Sequence, residues 1–307
     1  MMKTISGAFA AVLLLLTQPA AAQLKVFACE AEWAALASAL GGDNVDVYAA
    51  TTALQDVHKI QPRPSLIAKY RKADLLVCTG AELELGWLPQ LIEKGNNAQL
   101  NPGAPGNFEA SRYVTMLEIP AKIDRAQGDV HPYGNPHIQT DPRNIGKVAK
   151  PLADKLAELD PAHAADYARR YQDFNTRWTA AVDKWTAAAA PLKGVPVISG
   201  HKAWAYLYDW LGIREVATLE AKPGIPPSGA HLQELLGGLK TQPAKMIVYA
   251  AYQDHKPIEW MAEHSGLPTA ELPFSPGGAK GTDNDLFATF DVTVQRLLDA
   301  AKQSPQS

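Results

Sequence analysis

The chain has 307 residues, of which 47% are hydrophobic and 20% are charged, and its formal net charge is −3. This is the composition of a folded globular protein, and a chain of this length is typically divided into two domains. Nucleic-acid binding is excluded because it needs a basic surplus or stripe, whereas 29 Lys and Arg residues face 32 Asp and Glu residues without any basic run.

The first 22 residues have the pattern of a secretory signal peptide. Lys3 precedes an apolar run from Ile5 to Leu16, and small residues follow before Ala22. The apolar run is too short to span a bilayer stably. We therefore expect cleavage after Ala22 and a mature protein in the periplasm.

The chain contains two cysteines, and each ends a short apolar run with a strand pattern. In an oxidising compartment, Cys29 and Cys78 could form a disulfide if their strands are neighbours, because parallel strands lie roughly 4.8 Å apart. Two buried free thiols are an equally good interpretation. No further thiols surround them, so we do not expect them to bind a metal.

From residue 24 the sequence alternates short β-rich runs with longer helical runs. The first half contains predicted strands at Lys25–Ala28, Val45–Ala49, Leu75–Thr79 and Tyr113–Glu118, and predicted helices at Ala31–Leu40, Ser65–Lys72 and Trp87–Gly95. Such alternation predicts a parallel sheet with helices on both faces. A stretch rich in Gly, Pro and Asn between Gly103 and Asn135 predicts a surface loop.

A long helical region follows. Pro142–Leu159 predicts one helix, and Pro161–Leu192 predicts a second that carries an apolar stripe at helical spacing. A helix of this length exceeds what a single lobe needs, so we expect it to connect two lobes rigidly. A long core helix within one lobe is the simpler alternative.

After Gly194 the alternation of strands and helices begins again. The predicted strands are Val195–Ser199, Glu215–Thr218, Lys245–Ala250 and Thr269–Leu272, and the predicted helices are Lys202–Leu211, His231–Lys240, Lys256–His264 and Asp285–Ala301. The predicted fold class is therefore α/β, with two Rossmann-like lobes joined by one long helix. We expect an N-terminal lobe at 23–159, the connecting helix at 160–193 and a C-terminal lobe at 194–307.

Three of the eight histidines occupy positions where ligands of an α/β cleft are expected. His58 follows the second predicted strand, His137 lies between two prolines, and His201 directly follows the strand that ends at Ser199. Because ligands of open α/β sheets bind at the carboxyl ends of strands, these side chains predict a metal site between the lobes. Their wide spacing does not match a local zinc-finger pattern.

The residues around these histidines form motifs. They are Asp56-x-His58 with Pro62-x-Pro64-Ser65, Asn135-Pro136-His137-Ile138 with Asp141-Pro142, and Ser199-Gly200-His201. Together they resemble the periplasmic metal-binding proteins of ATP-driven zinc and manganese uptake systems, the solute-binding class with a rigid helix between its lobes. Gly86-Trp87-Leu88-Pro89 and Gly128-Asp129-Val130-His131 resemble the Azt-type zinc-binding subgroup most.

The resemblance implies one metal ion per chain, bound by His58, His137, His201 and an acidic residue just before the final helix. We expect Asp285 to be that residue and hold Asp283 as the reserve, although Asp285 could instead be only a helix N-cap. Three imidazoles and one carboxylate suit tetrahedral Zn²⁺, which would be the transported ligand. The manganese-binding members place an acid where His201 stands.

The resemblance also implies a function in uptake rather than catalysis. The expected partners are an inner-membrane ABC permease with its ATPase and a periplasmic zinc metallochaperone, and the carrier is expected to be a monomer. A filled ligand set leaves no open position for water, and no H-E-x-x-H motif is present. The alternatives are an exported zinc-dependent hydrolase and a manganese or organic-chelate binding protein of the same architecture.

This sequence departs from the family pattern at several positions. Val57 replaces the usual proline, Gln139 replaces a common tryptophan, and the glycine-rich loop carries only His131 where many zinc-binding members have several histidines. We expect His131 to be a solvated loop residue, with a contribution to the metal site as the alternative. The four remaining histidines are interpreted as structural: His163, His231, His255 and His264.

Overall fold

A computed structural model describes residues 22–304 except residues 125 and 127, and it contains two parallel four-stranded sheets. Residues 1–21 of the predicted signal peptide lie outside the described residues. Within the described ranges, no helix is both long and apolar enough to cross a membrane.

The first sheet has the strand order β2-β1-β3-β4, and all its neighbouring strands are parallel. Its strands are β1 (Leu24–Ala28), β2 (Val45–Ala49), β3 (Leu75–Cys78) and β4 (Asn107–Glu109), and its helices are α1 (Ala31–Gly41), α2 (Pro64–Arg71) and α3 (Leu88–Gly95). The central strand β3 is buried along its whole length, as expected for a strand covered on both faces.

The prediction of a strand at Tyr113–Glu118 was wrong, because the edge position beside β3 is taken by Asn107–Glu109. Residues beyond that strand leave the sheet. The backbone N–H of Leu117 donates to the hydroxyl of Tyr206 at 3.0 Å. This bond to a residue far along the chain stands where the sequence pattern suggested sheet pairing.

Two helices connect the sheets, α4 (Pro142–Leu159) and α5 (Ala164–Ala188). Helix α5 has 25 residues, a length of about 37 Å. On its buried side, the indole N–H of Trp178 donates to the carbonyl oxygen of Pro142 at 2.8 Å. Two helical turns further on, the indole N–H of Trp185 donates at 2.7 Å to a carboxylate oxygen of Asp291, which lies in the last helix of the chain. The long helix is therefore bonded to elements on both sides of the molecule.

The second sheet repeats the topology of the first, with the order β6-β5-β7-β8. Its strands are β5 (Pro196–Ser199), β6 (Arg214–Thr218), β7 (Met246–Ala250) and β8 (Thr269–Leu272), and its helices are α6 (Ala205–Leu211), α7 (Gly229–Gly238), α8 (His255–Ser265) and α9 (Leu286–Gln303). In the first sheet the direction in which strands are added changes between β1 and β3, and in the second sheet it changes between β5 and β7. Such a switch point creates a crevice at the carboxyl ends of the strands.

The apolar core extends from one sheet to the other. One cluster of buried side chains joins Trp33 and Val77 of the first lobe to Val197 and Val248 of the second through Trp178 of α5. Two smaller clusters cover the outer faces of the two sheets. The predicted class, two α/β lobes joined by a long helix, is confirmed.

Cys29 and Cys78 form a disulfide that ties the end of β1 to the end of β3, with Cα atoms 4.8 Å apart. Both residues are fully buried. Of the two interpretations of the cysteine pair, the structure contains the disulfide and not the pair of free thiols.

Candidate metal centre

Three histidines from distant parts of the chain meet at the carboxyl ends of the two sheets. His58, His137 and His201 each offer one ring nitrogen, and these three atoms lie within 4.8 Å of one another. The ring centroid of His58 lies 5.2 Å from that of His137 and 6.0 Å from that of His201. The structure therefore brings together all three histidines that the sequence singles out.

His58 lies in the loop after β2, and its main chain is held from two sides. Its backbone N–H donates to a carboxylate oxygen of Asp56 at 3.0 Å. The indole N–H of Trp87 donates to the carbonyl oxygen of Val57 at 3.0 Å. A Cβ atom at Gly86 would lie 2.6 Å from the carbonyl oxygen of His58, so glycine permits this close approach.

His137 is positioned by the asparagine two residues before it. The side-chain oxygen of Asn135 accepts the backbone N–H of His137 at 3.1 Å. The amide nitrogen of Asn135 donates to the carbonyl oxygen of Lys202 at 3.0 Å, which connects this segment to the second lobe. The His137 ring meets the ring of Phe274 edge to face, with centroids 5.4 Å apart. His137 is thus held between the lobes and is only 2% exposed.

His201 follows β5 and is paired with a carboxylate. Its Nδ1 atom lies 2.6 Å from Oε2 of Glu220, and both side chains are mostly buried. Glu220 lies two residues after the end of β6, the neighbour of β5. This residue was not among the candidates chosen from the sequence. An acidic residue just past a strand that borders the strand of His201 is the signal that could have identified it.

His131 occupies a different place from the one expected. It is half-buried and stacks on His58, with ring centroids 5.3 Å apart. The prediction of a solvated loop residue was therefore wrong. The loop is held against the second lobe because the backbone N–H of Asp129 donates to the carbonyl oxygen of Pro223 at 2.9 Å.

Burial and mutual repulsion lower the pKa values of three of these imidazoles, those of His58, His131 and His137. Burial, with His201 nearby, lowers the pKa of His58 to about 4. Burial also holds the pKa of His137 well below its usual value, with His58 and His201 adding to the effect. Likewise, burial and the neighbouring His58 lower the pKa of His131 to about 4. Neutral imidazoles are the form that binds metal ions.

Two of the ring nitrogens are buried without any hydrogen-bond partner in the described part of the chain, Nε2 of His58 and Nδ1 of His137. Buried polar atoms are normally hydrogen-bonded, and a bound ion is one of the partners that accounts for a buried polar atom with no protein partner. Together with His201, they form a set of three nitrogen donors, which suits a divalent transition metal ion such as Zn²⁺.

The acidic residues expected to complete the set lie elsewhere. Asp285 is the N-cap of α9, and its carboxylate accepts the backbone N–H of Ala288 at 3.0 Å. Asp285 and Asp283 are both exposed. Neither belongs to the group of ligand atoms that the described residues bring within 4.8 Å of one another.

Two cavities open beside the three histidines. One, of about 170 Å³, is lined by His131, His137 and His201 among others. The other, of about 200 Å³, is lined by His58, His201 and Glu220 among others. The site is therefore reached from the cleft between the lobes rather than sealed in the core.

The four remaining histidines lie outside this group. Each has a polar neighbour of its own: His163 with Asp160, His231 with Thr218, His255 with Glu271, and His264 with Trp260.

Comparison with known proteins identifies a family for this chain and relatives that match most of its length. The family model described as "Zinc-uptake complex component A periplasmic" (ZnuA) matches residues 26–300 of the chain. The manganese ABC transporter substrate-binding lipoprotein scaA of Streptococcus gordonii is 25% identical over 282 residues, which cover 88% of this chain and 86% of the relative. The iron ABC transporter substrate-binding lipoprotein MtsA of Streptococcus pyogenes serotype M1 is 26% identical over 296 residues, 91% of each chain.

Solved structures agree with the fold. The crystal structure of ZnuA has a TM-score of 0.75 at 21% identity, and the match covers 91% of this chain and 100% of that one. The Pseudomonas aeruginosa solute-binding protein FpvC, solved with Ni²⁺, has a TM-score of 0.71 at 21% identity, with 91% and 98% covered.

Proposed function

The chain belongs to the ZnuA family, the metal-binding periplasmic solute-binding proteins of ABC transporters, and from this premise we propose that it carries Zn²⁺. It would capture one Zn²⁺ ion per chain at His58, His137 and His201 and deliver it to an inner-membrane transporter. Members of this family bind a transported solute and are not enzymes. The hydrolase alternative is therefore not favoured.

The observation that carries the proposal is the set of three imidazoles with nitrogen atoms within 4.8 Å of one another. Zn²⁺ is commonly bound by histidine nitrogens in four-coordinate sites, whereas Mn²⁺ prefers more oxygen ligands. The low pKa values of His58 and His137 support the same conclusion, since these side chains need not lose a proton to bind metal at neutral pH.

Transport of manganese or iron is the second candidate function. It is favoured by the names of the relatives scaA and MtsA, which are described as manganese and iron proteins. The donor set argues against it, because the described residues bring no carboxylate into the group of three histidines. Membership of the Azt-type zinc-binding subgroup remains part of our proposal.

The proposal includes the route by which the metal travels. After removal of the signal peptide, the mature chain would act as a periplasmic monomer and would receive zinc directly or from a metallochaperone. It would then release zinc to an ABC permease with its ATPase.

Single substitutions of the three histidines test the site. We expect H58A, H137A and H201A each to weaken Zn²⁺ binding at least about tenfold, a loss of about 1.4 kcal/mol, in a competition titration against a chromophoric chelator. His231→Ala is the matched control, because His231 lies outside the group, and it should bind zinc like the parent chain. Unchanged affinity in all three variants would disprove the site.

A further inference from the structure

The three histidines of the proposed site are not held in the same way. Nδ1 of His201 is paired with Glu220, whereas Nδ1 of His137 and Nε2 of His58 have no hydrogen-bond partner among the described residues. Both partners of the His201–Glu220 pair are largely withdrawn from solvent, with side chains 8% and 16% exposed. An interaction of 2.6 Å between mostly buried groups is short for a nitrogen–oxygen pair and is typical of a charge-assisted bond.

This pairing selects the tautomer of His201. An ionised carboxylate can only accept a hydrogen bond, so Nδ1 of His201 must carry the proton that it donates to Glu220. In the tautomer with Nδ1–H, the lone pair of the ring lies on Nε2. Nε2 is therefore the nitrogen of His201 that can bind a metal ion, and ring rotation is opposed by the hydrogen bond on the other side.

The same carboxylate oxygen also organises the turn that follows it. Oε2 of Glu220 accepts the backbone N–H of Gly224 at 2.8 Å. Gly224 has a φ of +76°, and a Cβ atom there would collide with the carboxylate of Asp129. Next to it, the carbonyl oxygen of Pro223 accepts the N–H of Asp129. Glu220 thus joins a ring of the proposed site to the turn on which the His131 loop rests.

We propose that Glu220 is the positioning residue of the metal site, which fixes the Nδ1–H tautomer and the orientation of His201 so that Nε2 faces the ion. It would act through His201 and would not itself touch the metal. The negative charge next to the ring also makes Nε2 a stronger donor, as carboxylate partners of metal-binding histidines do. The inference rests on the proposed role of His201 as a ligand.

Two substitutions at this position test the inference. Glu220→Ala removes the acceptor and the charge, and it should weaken Zn²⁺ binding about 10- to 100-fold in the chelator competition. Glu220→Gln retains an oxygen that can accept from Nδ1–H but lacks the charge, so it should restore part of the lost affinity. The matched control is Glu271→Gln, because Glu271 also lies beside a histidine, His255, but outside the site.

Two further measurements separate positioning from a general effect on folding. Nitrogen NMR of metal-free, histidine-labelled protein should show the Nδ1–H tautomer at His201 in the parent and a mixture of tautomers in the Glu220→Ala variant. With Co²⁺ as the probe ion, the visible absorption spectrum of the Glu220→Ala complex should differ from that of the parent complex. The control Glu271→Gln should leave both signals unchanged.

The outcomes distinguish this inference from the proposed function. If the parent binds zinc tightly, His201→Ala weakens it and Glu220→Ala matches the parent in affinity, tautomer and Co²⁺ spectrum, the positioning role is disproved while the site stands. If Glu220→Ala binds zinc poorly but keeps the parent tautomer and spectrum, its role is only structural and the inference is again overturned. If parent and His201→Ala bind zinc equally, the proposed function itself fails.

Discussion

The rings of His58 and His131 stack with their centroids 5.3 Å apart and an angle of 29° between their planes. One residue follows β2 and the other lies in the loop before α4, and that loop also bonds to the second lobe through Asp129. His131 does not belong to the group of three close ligand atoms. From this position we expect His131 to support the orientation of His58 rather than to bind the metal.

Replacement of His131 by alanine should weaken zinc binding less than replacement of His58. The expected loss is smaller than about tenfold, because the stacking contact disappears while all three proposed ligands remain. The measurement is the chelator competition with both variants side by side. A loss in H131A as large as that in H58A would contradict this view and make His131 a ligand.

Replacement of Asp285 by alanine should affect stability and not zinc binding. Its carboxylate caps α9, and loss of such a cap costs about 1 kcal/mol of unfolding free energy. Urea denaturation of the metal-free D285A variant measures this loss. The companion variant D283A changes another exposed acid of the same loop, and it should leave both stability and zinc affinity as in the parent.

The two variants also decide whether the fourth ligand is acidic. A tenfold or greater loss of zinc affinity in D285A or D283A would identify that residue as a ligand. It would also show that the loop before α9 moves toward the histidines when the metal binds.

Glu32 is a buried acid whose protonation should make stability depend on pH. It is 2% exposed, and its Oε1 atom has no hydrogen-bond partner among the described residues. Burial raises the pKa of Glu32 to about 8, and the nearby Glu84 contributes. The folded state therefore holds a proton that the unfolded chain releases near pH 4.5, the ordinary value for glutamate.

It follows that this group stabilises the fold at low pH and that its contribution is lost as the pH rises toward 8. Glu32→Gln removes the titration, so the stability of the variant relative to the parent should increase by about 3.5 kcal/mol between about pH 5 and about pH 8. Urea denaturation of both chains at the two pH values measures the difference. A constant difference, or one that changes in the opposite direction, would show that Glu32 is ionised in the folded protein.

The disulfide between Cys29 and Cys78 should contribute to stability but not to metal binding. It closes a loop across a sequence separation of 49 residues, for which the chain-entropy argument gives about 4 kcal/mol. The double variant C29A/C78A should unfold at correspondingly lower denaturant concentration. Its zinc affinity, measured while folded, should stay within about threefold of the parent, and a larger change would show that the bridge positions the site.

The secondary structure was predictable from the sequence where the pattern of apolar residues follows directly from the burial of one element. Strands such as Leu75–Cys78 are apolar throughout because both faces are buried, and strand ends located His58 and His201 near the cleft. The strand predicted at Tyr113–Glu118 failed because those residues bond to Tyr206 of the other lobe, a contact that no local pattern reports.

The same limit applies to the details of the site. Helix α6 and strand β6 lie between His201 and Glu220 in the chain, and the pairing of β5 with β6 brings the two side chains together. The burial of His131 depends on Asp129 and Pro223, which are far apart in the chain. Three-dimensional contacts of this kind decide which polar residues support a histidine of the site, whereas sequence patterns located the three histidines that meet there.

The most direct test of the central claim is a metal competition with the purified parent chain. The metal-free protein is equilibrated with one equivalent of Zn²⁺ and a large excess of Mn²⁺ or Fe²⁺, and the bound metal is quantified after gel filtration. The three-imidazole site predicts one Zn²⁺ per chain, retained against either competitor. Retention of Mn²⁺ or Fe²⁺ in place of Zn²⁺ would contradict the account.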